Sequence, residues 1–438
     1  MPTLELNPNK QYTFPKEIYV EQIDDQFLII LQNTANWILA QNKKQVEMFR
    51  YLESGKTVLE LFQNFQDKKD IIYLLTELEA KHIENTSVHY PEEHGMYMYL
   101  TNRCNQRCKH CYMFAGDCVD DELTTEEIQK ILCEFAKHKG KVVTFTGGEA
   151  TLRTDFTSII RTAKENGLIV GVLSNGLMWN REFVNNNKAY IDEVQISIDG
   201  YDAESYKTVR KTDTFHIALE TVDILINAGI RVTVAITPLL DTLLGNEENY
   251  ITFANALSEK YKGKEFFVKF NTELMEGRNI DPTAQENEVY RKTISVIKTA
   301  CSQNSEEEGF AIDHRNNTIF NNCGYGGITV AANGDVFFCN LISECAKQAN
   351  VRENSFEDIL ALSKQAREAS DINNLRPCNK CALKYICGGG CRVKNFKKLV
   401  MQKEYNNHNC VDRDVLCTKE YRDKLYRLMV KSNKLFYL

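Results

Sequence analysis

The apolar positions of this chain change their period twice. In the opening segment IYVEQIDDQFLIIL (18–31), apolar and polar residues run as two extended stretches around Asp24-Asp25, which predicts a hairpin with those aspartates in its turn. Three helical patterns follow. Val46 and Phe49 share one face; Val58, Leu61, Phe62 and Phe65 fall at i, i+3, i+4 and i+7; Ile71, Leu74, Leu75 and Leu78 repeat that spacing. A hairpin with three short helices predicts a winged-helix-like domain over residues 1–90. The stretch NTSVHYPEEHG (85–95), with its proline and charges, reads as a linker.

Between residue 96 and about 275, short apolar runs alternate with helical patterns. The strands are MYMYLTN (96–102), VVTFT (142–146), LIVGVLSN (168–175), EVQISID (193–199), RVTVAIT (231–237) and EFFVKFN (265–271). The helix near 125–138 opens on a capping box, Thr124 with Glu127. Such alternation implies a parallel sheet with right-handed crossovers. Six units fit an α/β fold, a partial (β/α)6 barrel over 96–300, with chemistry at the C-terminal strand ends. From 310 to 438 long periodic patterns disappear and cysteines and glycines take over. A region held by metal clusters needs less apolar core.

Composition narrows the class. The chain has 438 residues, 43% hydrophobic and 26% charged, as in ordinary globular proteins. A net charge of −7 gives no reason to expect a nucleic-acid or anionic-membrane partner. The first residues, MPTLELNPNKQYTF, show no secretory signal, and no apolar run reaches the roughly 18 residues of a membrane helix. A cytoplasmic location is expected. Fifteen cysteines then stand out, because a reducing cytosol disfavours structural disulfides. Clustered there, they read as metal ligands or catalytic groups. Cys104, Cys108 and Cys111 form an early group. Cys323, Cys339, Cys345, Cys378, Cys381, Cys387, Cys391, Cys410 and Cys417 form a late one. Cys118, Cys133 and Cys301 stand apart and read as ordinary thiols, with Cys133 packed in the core from its helical position.

CNQRCKHC spaces the early group as C-x3-C-x2-C directly after the first barrel strand. Three thiolates can hold three irons of a [4Fe–4S] cubane and leave the fourth open to the amino and carboxylate groups of S-adenosylmethionine (SAM). Zinc is the alternative, but it normally takes four ligands and no fourth lies nearby. With the companion motifs, the segment 96–280 resembles the radical SAM superfamily. Gly147, Gly148 and Glu149 of TGGEA match the motif that binds the SAM amino group. Ser174 and Asn175 of LSNG end the third strand. Gln195 and Ser197 match contacts to the ribose and methionine portions, and Arg210 matches an arginine that pairs with the SAM carboxylate. His110 occupies the usually aromatic place beside the adenine, and Ile236 on the fifth strand matches a residue that packs on it.

The late group contains C-x10-G-x4-C (Cys323, Gly334, Cys339), then C-x2-C-x5-C-x3-C (Cys378, Cys381, Cys387, Cys391), then Cys410. This resembles the seven-cysteine SPASM extension of radical SAM peptide and protein maturases. The resemblance implies two auxiliary [4Fe–4S] clusters, three in all, with SAM as the further cofactor. Cys378, Cys381, Cys387 and Cys410 would hold the outer one; Cys323, Cys339 and Cys391 would hold the inner one. Proximity in sequence favours Cys345 as the missing inner ligand; Cys417 is its rival and an open site a third option. A zinc ribbon would require two C-x2-C units, and one is present.

The N-terminal domain resembles, by pattern and position, the leader-binding module of peptide maturases. There a leader peptide adds as a strand to a sheet edge. A DNA-binding winged helix would want a basic face, which residues 1–90 lack. Together these features imply an oxidoreductase that modifies a ribosomally synthesised (RiPP) precursor peptide. The 5′-deoxyadenosyl radical would abstract hydrogen and an intrapeptide carbon–carbon or thioether bond would form. A donor such as flavodoxin or ferredoxin would supply electrons. The competing readings are a sulfatase-type maturase making formylglycine, a peptide epimerase, and a non-catalytic iron–sulfur regulator that binds DNA. No general base is singled out, and neither the peptide, the residues joined nor the oligomeric state is specified.

Overall fold

The computed structural model describes residues 6–84, 95–301, 323–395, 400 and 417–435. Residues 85–94 of the linker, and Cys410, lie outside them. Contacts group the chain into two compact units: Met1–Glu92 with Glu307–Tyr325 and Arg367–Leu438, and Glu93–Glu306 with Gly326–Ala366. The cut passes through the cysteine-rich stretch 310–438.

In the first unit, β1 (Ile18–Ile23), β2 (Gln26–Leu31) and β3 (Asn36–Ala40) form an antiparallel sheet in that order. The register pairs Ile23 with Gln26, so Asp24-Asp25 make the turn, Asp24 taking a left-handed φ of 53°. Helices α1 (Lys43–Glu53), α2 (Val58–Asn64) and α3 (Lys68–Ala80) stand where the periodicity puts them. The strand β3 was not expected, because its sequence NWILA does not alternate. The cause is burial on both faces. Ile29, Leu31, Ile38 and Ala40 pack on Phe49, Leu52, Leu61 and Leu75 of the helices. On the other face Leu28, Ile30, Trp37 and Leu39 pack on Leu383 and Ile386, and on Leu425, Tyr426 and Met429 of the helix Lys419–Leu435. The N-terminal sheet and the late-cysteine segment thus share one core, and Gln32 Nε2 donates to the Cys381 carbonyl at 2.7 Å.

The second unit carries six parallel strands in sequential order, β4 (Gly95–Tyr99), β5 (Val142–Thr146), β6 (Ile169–Ser174), β7 (Glu193–Ser197), β8 (Arg231–Ile236) and β9 (Phe266–Phe270). All six expected barrel strands are present. The short strands β10 (Ile328–Val330), β11 (Asp335–Phe337) and β12 (Ala349–Asn350) extend the same sheet beyond β4. β10 runs parallel to β4, and β11 and β12 return antiparallel. This closes the edge that β4 would otherwise expose.

Helix α4 (Thr125–Lys137) opens on the expected capping box, Thr124 accepting from the Glu127 N–H and Glu127 from the Thr124 N–H. Thr124→Ala should lower stability by about 1 kcal/mol, read as a small fall in the thermal midpoint. Cys133 on this helix is exposed rather than packed. The buried stripe runs through Ile128, Ile131, Leu132 and Phe135, and one residue past Leu132 turns about 100° away from it. No described helix is long and apolar enough to cross a membrane.

Candidate functional site

The early cysteines sit in the loop that leaves β4, and β5 holds that loop by backbone contact. Gly148 N donates to the Thr101 carbonyl at 2.7 Å and Glu149 N to that of Arg103 at 2.8 Å. A Cβ on Gly147 would lie 2.3 Å from Thr101 O, and one on Gly148 would lie 2.3 Å from Arg103 O. Gly147 also takes a φ of 142°. The paired glycines are required here because another piece of this chain, the approach to Cys104, passes against them. Further ties fix the loop. Cys104 N donates to Gly116 O at 2.9 Å, Lys109 N to Val209 O at 3.0 Å and Asn279 N to Lys109 O at 2.8 Å.

Within the loop, Cys108 is buried and Cys104 and Cys111 are half-buried. Burial pushes the Cys104 thiol up to about 11. Burial also raises Cys108, against the pull of Arg210. Arg210, at the end of the helix Ala203–Arg210, donates to Cys108 Sγ at 3.7 Å and to Gln106 Oε1 at 3.3 Å. Its Nε lies 2.5 Å from Asp199 Oδ2. The same carboxylate oxygen lies 3.3 Å from His110 Nε2, and burial holds that imidazole below its ordinary value. Asp199 therefore binds the guanidinium and the imidazole to the end of β7. Asp199 closes the segment EVQISID, and no local sequence pattern marks its role.

Glu149 is 1% exposed, and burial raises its carboxyl against several hydrogen bonds. It accepts from Asn175 N at 2.8 Å, Ser174 Oγ at 2.9 Å and Thr151 Oγ1 at 2.5 Å. Ser174 Oγ in turn accepts from Trp179 Nε1 at 2.8 Å, and Asn175 Nδ2 donates to Asn105 Oδ1 at 2.7 Å. The TGGEA and LSNG turns are thus one polar network joined to the cysteine loop. Ser174→Ala leaves a buried carboxylate and an indole N–H short of a partner. It should cost about 1–3 kcal/mol and weaken SAM binding, measurable by thermal shift and equilibrium dialysis.

Gln195 and Ser197 are half-buried on β7 between the buried Val194, Ile196 and Ile198. Ile236 takes the other parity. The register pairs Ser197 with Ala235 and Ile196 with Val234, so Ile236 falls on the face of Val234 and Ile196. It is fully buried there. Ala235, not Ile236, shares the face of Gln195 and Ser197.

Two phenols were not foreseen. Tyr99 OH and Tyr112 OH lie 2.7 Å apart, and Tyr99 OH donates to Asn340 O at 2.6 Å, tying the residue after Cys111 to the residue after Cys339. Cys345 is buried in this same unit. Cys323 and Cys391 belong to the other, where a hydrogen bond from Cys391 and the nearby Arg392 lower the Cys323 thiol to about 6. Arg392 is itself buried, with its N–H on Cys323 Sγ at 3.3 Å. Cys378, Cys381 and Cys387 gather close by in sequence, and mutual thiol repulsion adds to burial there. No disulfide occurs among the described residues, so these largely half-buried thiol sets suit metal binding.

The radical SAM superfamily profile matches residues 98–254, and that of the SPASM iron–sulfur cluster-binding domain matches 322–382. Among solved structures, native anSMEcpe with bound AdoMet and the Cp18Cys peptide is 15% identical, with 78% of this chain and 99% of that chain covered and a TM-score of 0.54. Streptococcus suis SuiB is 15% identical over 92% of this chain and 99% of that chain, with a TM-score of 0.48.

Proposed function

Since this chain is a radical SAM enzyme with an iron–sulfur cluster-binding SPASM domain, we propose that it cross-links a ribosomally made precursor peptide through a carbon–carbon or thioether bond. Bound, the clusters and SAM supply one-electron cleavage of SAM, hydrogen abstraction from the peptide and a sink for the electron that bond formation releases. The observation that carries the reading is the shared core of the N-terminal sheet and the late-cysteine segment. A module so joined serves to deliver a substrate to the cluster-bearing enzyme.

The chain's own residues divide the remaining work. Cys104, Cys108 and Cys111 hold the first cluster, with Arg210 and Asp199 fixing Cys108 and His110. Gly147, Gly148, Glu149, Ser174, Asn175, Gln195 and Ser197 shape the SAM site. Cys323 and Cys391, in one unit, serve the inner auxiliary cluster. The outer one takes Cys378, Cys381, Cys387 and a cysteine from the C-terminal segment. The leader adds to β1, the sheet edge whose one strand neighbour among the described residues is β2.

The test is co-expression with the short peptide encoded beside the gene, followed by mass spectrometry. A product that has lost two hydrogens and resists fragmentation between two residues is expected. A cysteine that has lost its sulfur and become an aldehyde, or an unchanged mass with an inverted centre, would overturn the reading. Proline at Tyr19 or Val20 on β1 should weaken peptide binding while SAM cleavage without peptide persists, because successive N–H groups alternate in direction and one of the two faces outward.

A further inference from the structure

We infer that Cys417 is the fourth thiolate of the outer auxiliary cluster, completing Cys378, Cys381 and Cys387. This rests on the reading that the late cysteines hold iron–sulfur clusters, and is independent of the peptide reaction.

The placement follows from the helix Lys419–Leu435. Its buried face, Leu425, Tyr426 and Met429, docks on Leu383 and Ile386, the apolar residues between Cys381 and Cys387. Cys381, Cys387 and Tyr421 pack against that same cluster. Tyr421 OH lies 3.7 Å from Cys387 Sγ. The docked helix therefore fixes its first turn at the cysteine set, and Cys417 stands two residues before that turn. Arg422, next to Tyr421, donates to the Cys417 carbonyl at 2.8 Å and to its Sγ at 3.6 Å, pinning the residue from within the helix.

Cys378, Cys381, Cys387 and Cys417 are all half-buried. Three cysteines of one segment and a fourth held at the start of the helix docked on that segment, none in a disulfide, make a donor set suited to a [4Fe–4S] cube. Arg422 adds a cation beside a set that carries negative charge when its thiolates bind iron.

The experiment uses the full chain, reconstituted anaerobically, with iron and sulfide counted and the reduced clusters followed by electron paramagnetic resonance. Wild type should hold about twelve irons. Cys417→Ser should hold about eight, or about twelve with one auxiliary signal shifted by the oxygen ligand; Cys410→Ser should match wild type. A Cys417→Ser protein with the wild-type count and signals overturns the assignment, as does loss of a cluster in Cys410→Ser. If Cys417→Ser is insoluble, Cys410→Ser decides alone: a full complement supports Cys417 and a missing cluster overturns it. Zinc or no metal on the late cysteines of wild type would bring down the cluster reading itself.

Discussion

Cys108→Ala should purify as a folded protein with about eight irons in place of about twelve and should release no 5′-deoxyadenosine from SAM and dithionite. The loop around Cys108 does not depend on the thiol for its shape. Backbone bonds at Cys104, Lys109 and Gly116, the close approach of Gly148 to Arg103, and Asn279 on Lys109 hold it from several sides. The alanine therefore removes a ligand from a standing scaffold, and loss of SAM cleavage would be chemical. Cys104→Ala and Cys111→Ala should behave alike. Arg210→Gln supplies the graded comparison: it keeps all three thiols but removes the cation that touches Cys108 and pairs with Asp199. Loss of such a supporting partner should reduce SAM cleavage about 10–100-fold with iron retained. Chromatography of 5′-deoxyadenosine with parallel iron analysis reads both. A Cys108→Ala protein that still cleaves SAM would remove the early cysteines from the chemistry.

What the sequence disclosed depended on how local each signal is. The barrel strands were legible because each is a compact apolar run bracketed by helical periodicity. The early cysteines stood out as a set because three fall within eight residues, and the late ones because their spacings repeat a known pattern. β3 was hidden because both its faces are covered, and β10 to β12 because two or three residues are too few to show a period. Ile236 lies in a strand whose last three residues are all buried, so composition does not distinguish one face from the other; the pairing register does. Asp199 escaped notice for another reason. A carboxylate that binds Arg210 and His110 is defined by residues brought to it in space, and nothing in ISID announces them. The same holds for the Tyr99–Tyr112 pair and for the docking that places Cys417.

Lys81→Ala should destabilise the unit that carries the N-terminal sheet by about 3–5 kcal/mol, the cost of leaving a buried partner charge uncompensated. The Lys81 and Glu77 side chains are 0% and 1% exposed, with Nζ 2.9 Å from Glu77 Oε2. Lys81 Nζ also donates to the Trp37 carbonyl at 2.9 Å and to Asn433 Oδ1, while Leu39 N donates to Glu77 Oε2 at 3.1 Å. Asn433 Nδ2, on the C-terminal helix, donates to Glu77 Oε1 at 3.0 Å. These side chains satisfy backbone groups of β3 that a further strand would otherwise take. This separates the pair from a simple buried salt bridge, whose replacement by apolar residues can be neutral. Glu77→Leu with Lys81→Met should not recover wild-type stability, because the Leu39 N–H would stay buried without the Glu77 carboxylate, at about 1–3 kcal/mol. Asn433→Ala, which removes one contact to each charge, should fall between wild type and Lys81→Ala. At roughly 2–4 °C per kcal/mol for a unit of this size, Lys81→Ala should lower the anaerobic thermal midpoint by about 10 °C. A double variant as stable as wild type would show that the charges serve each other and not the strand edge.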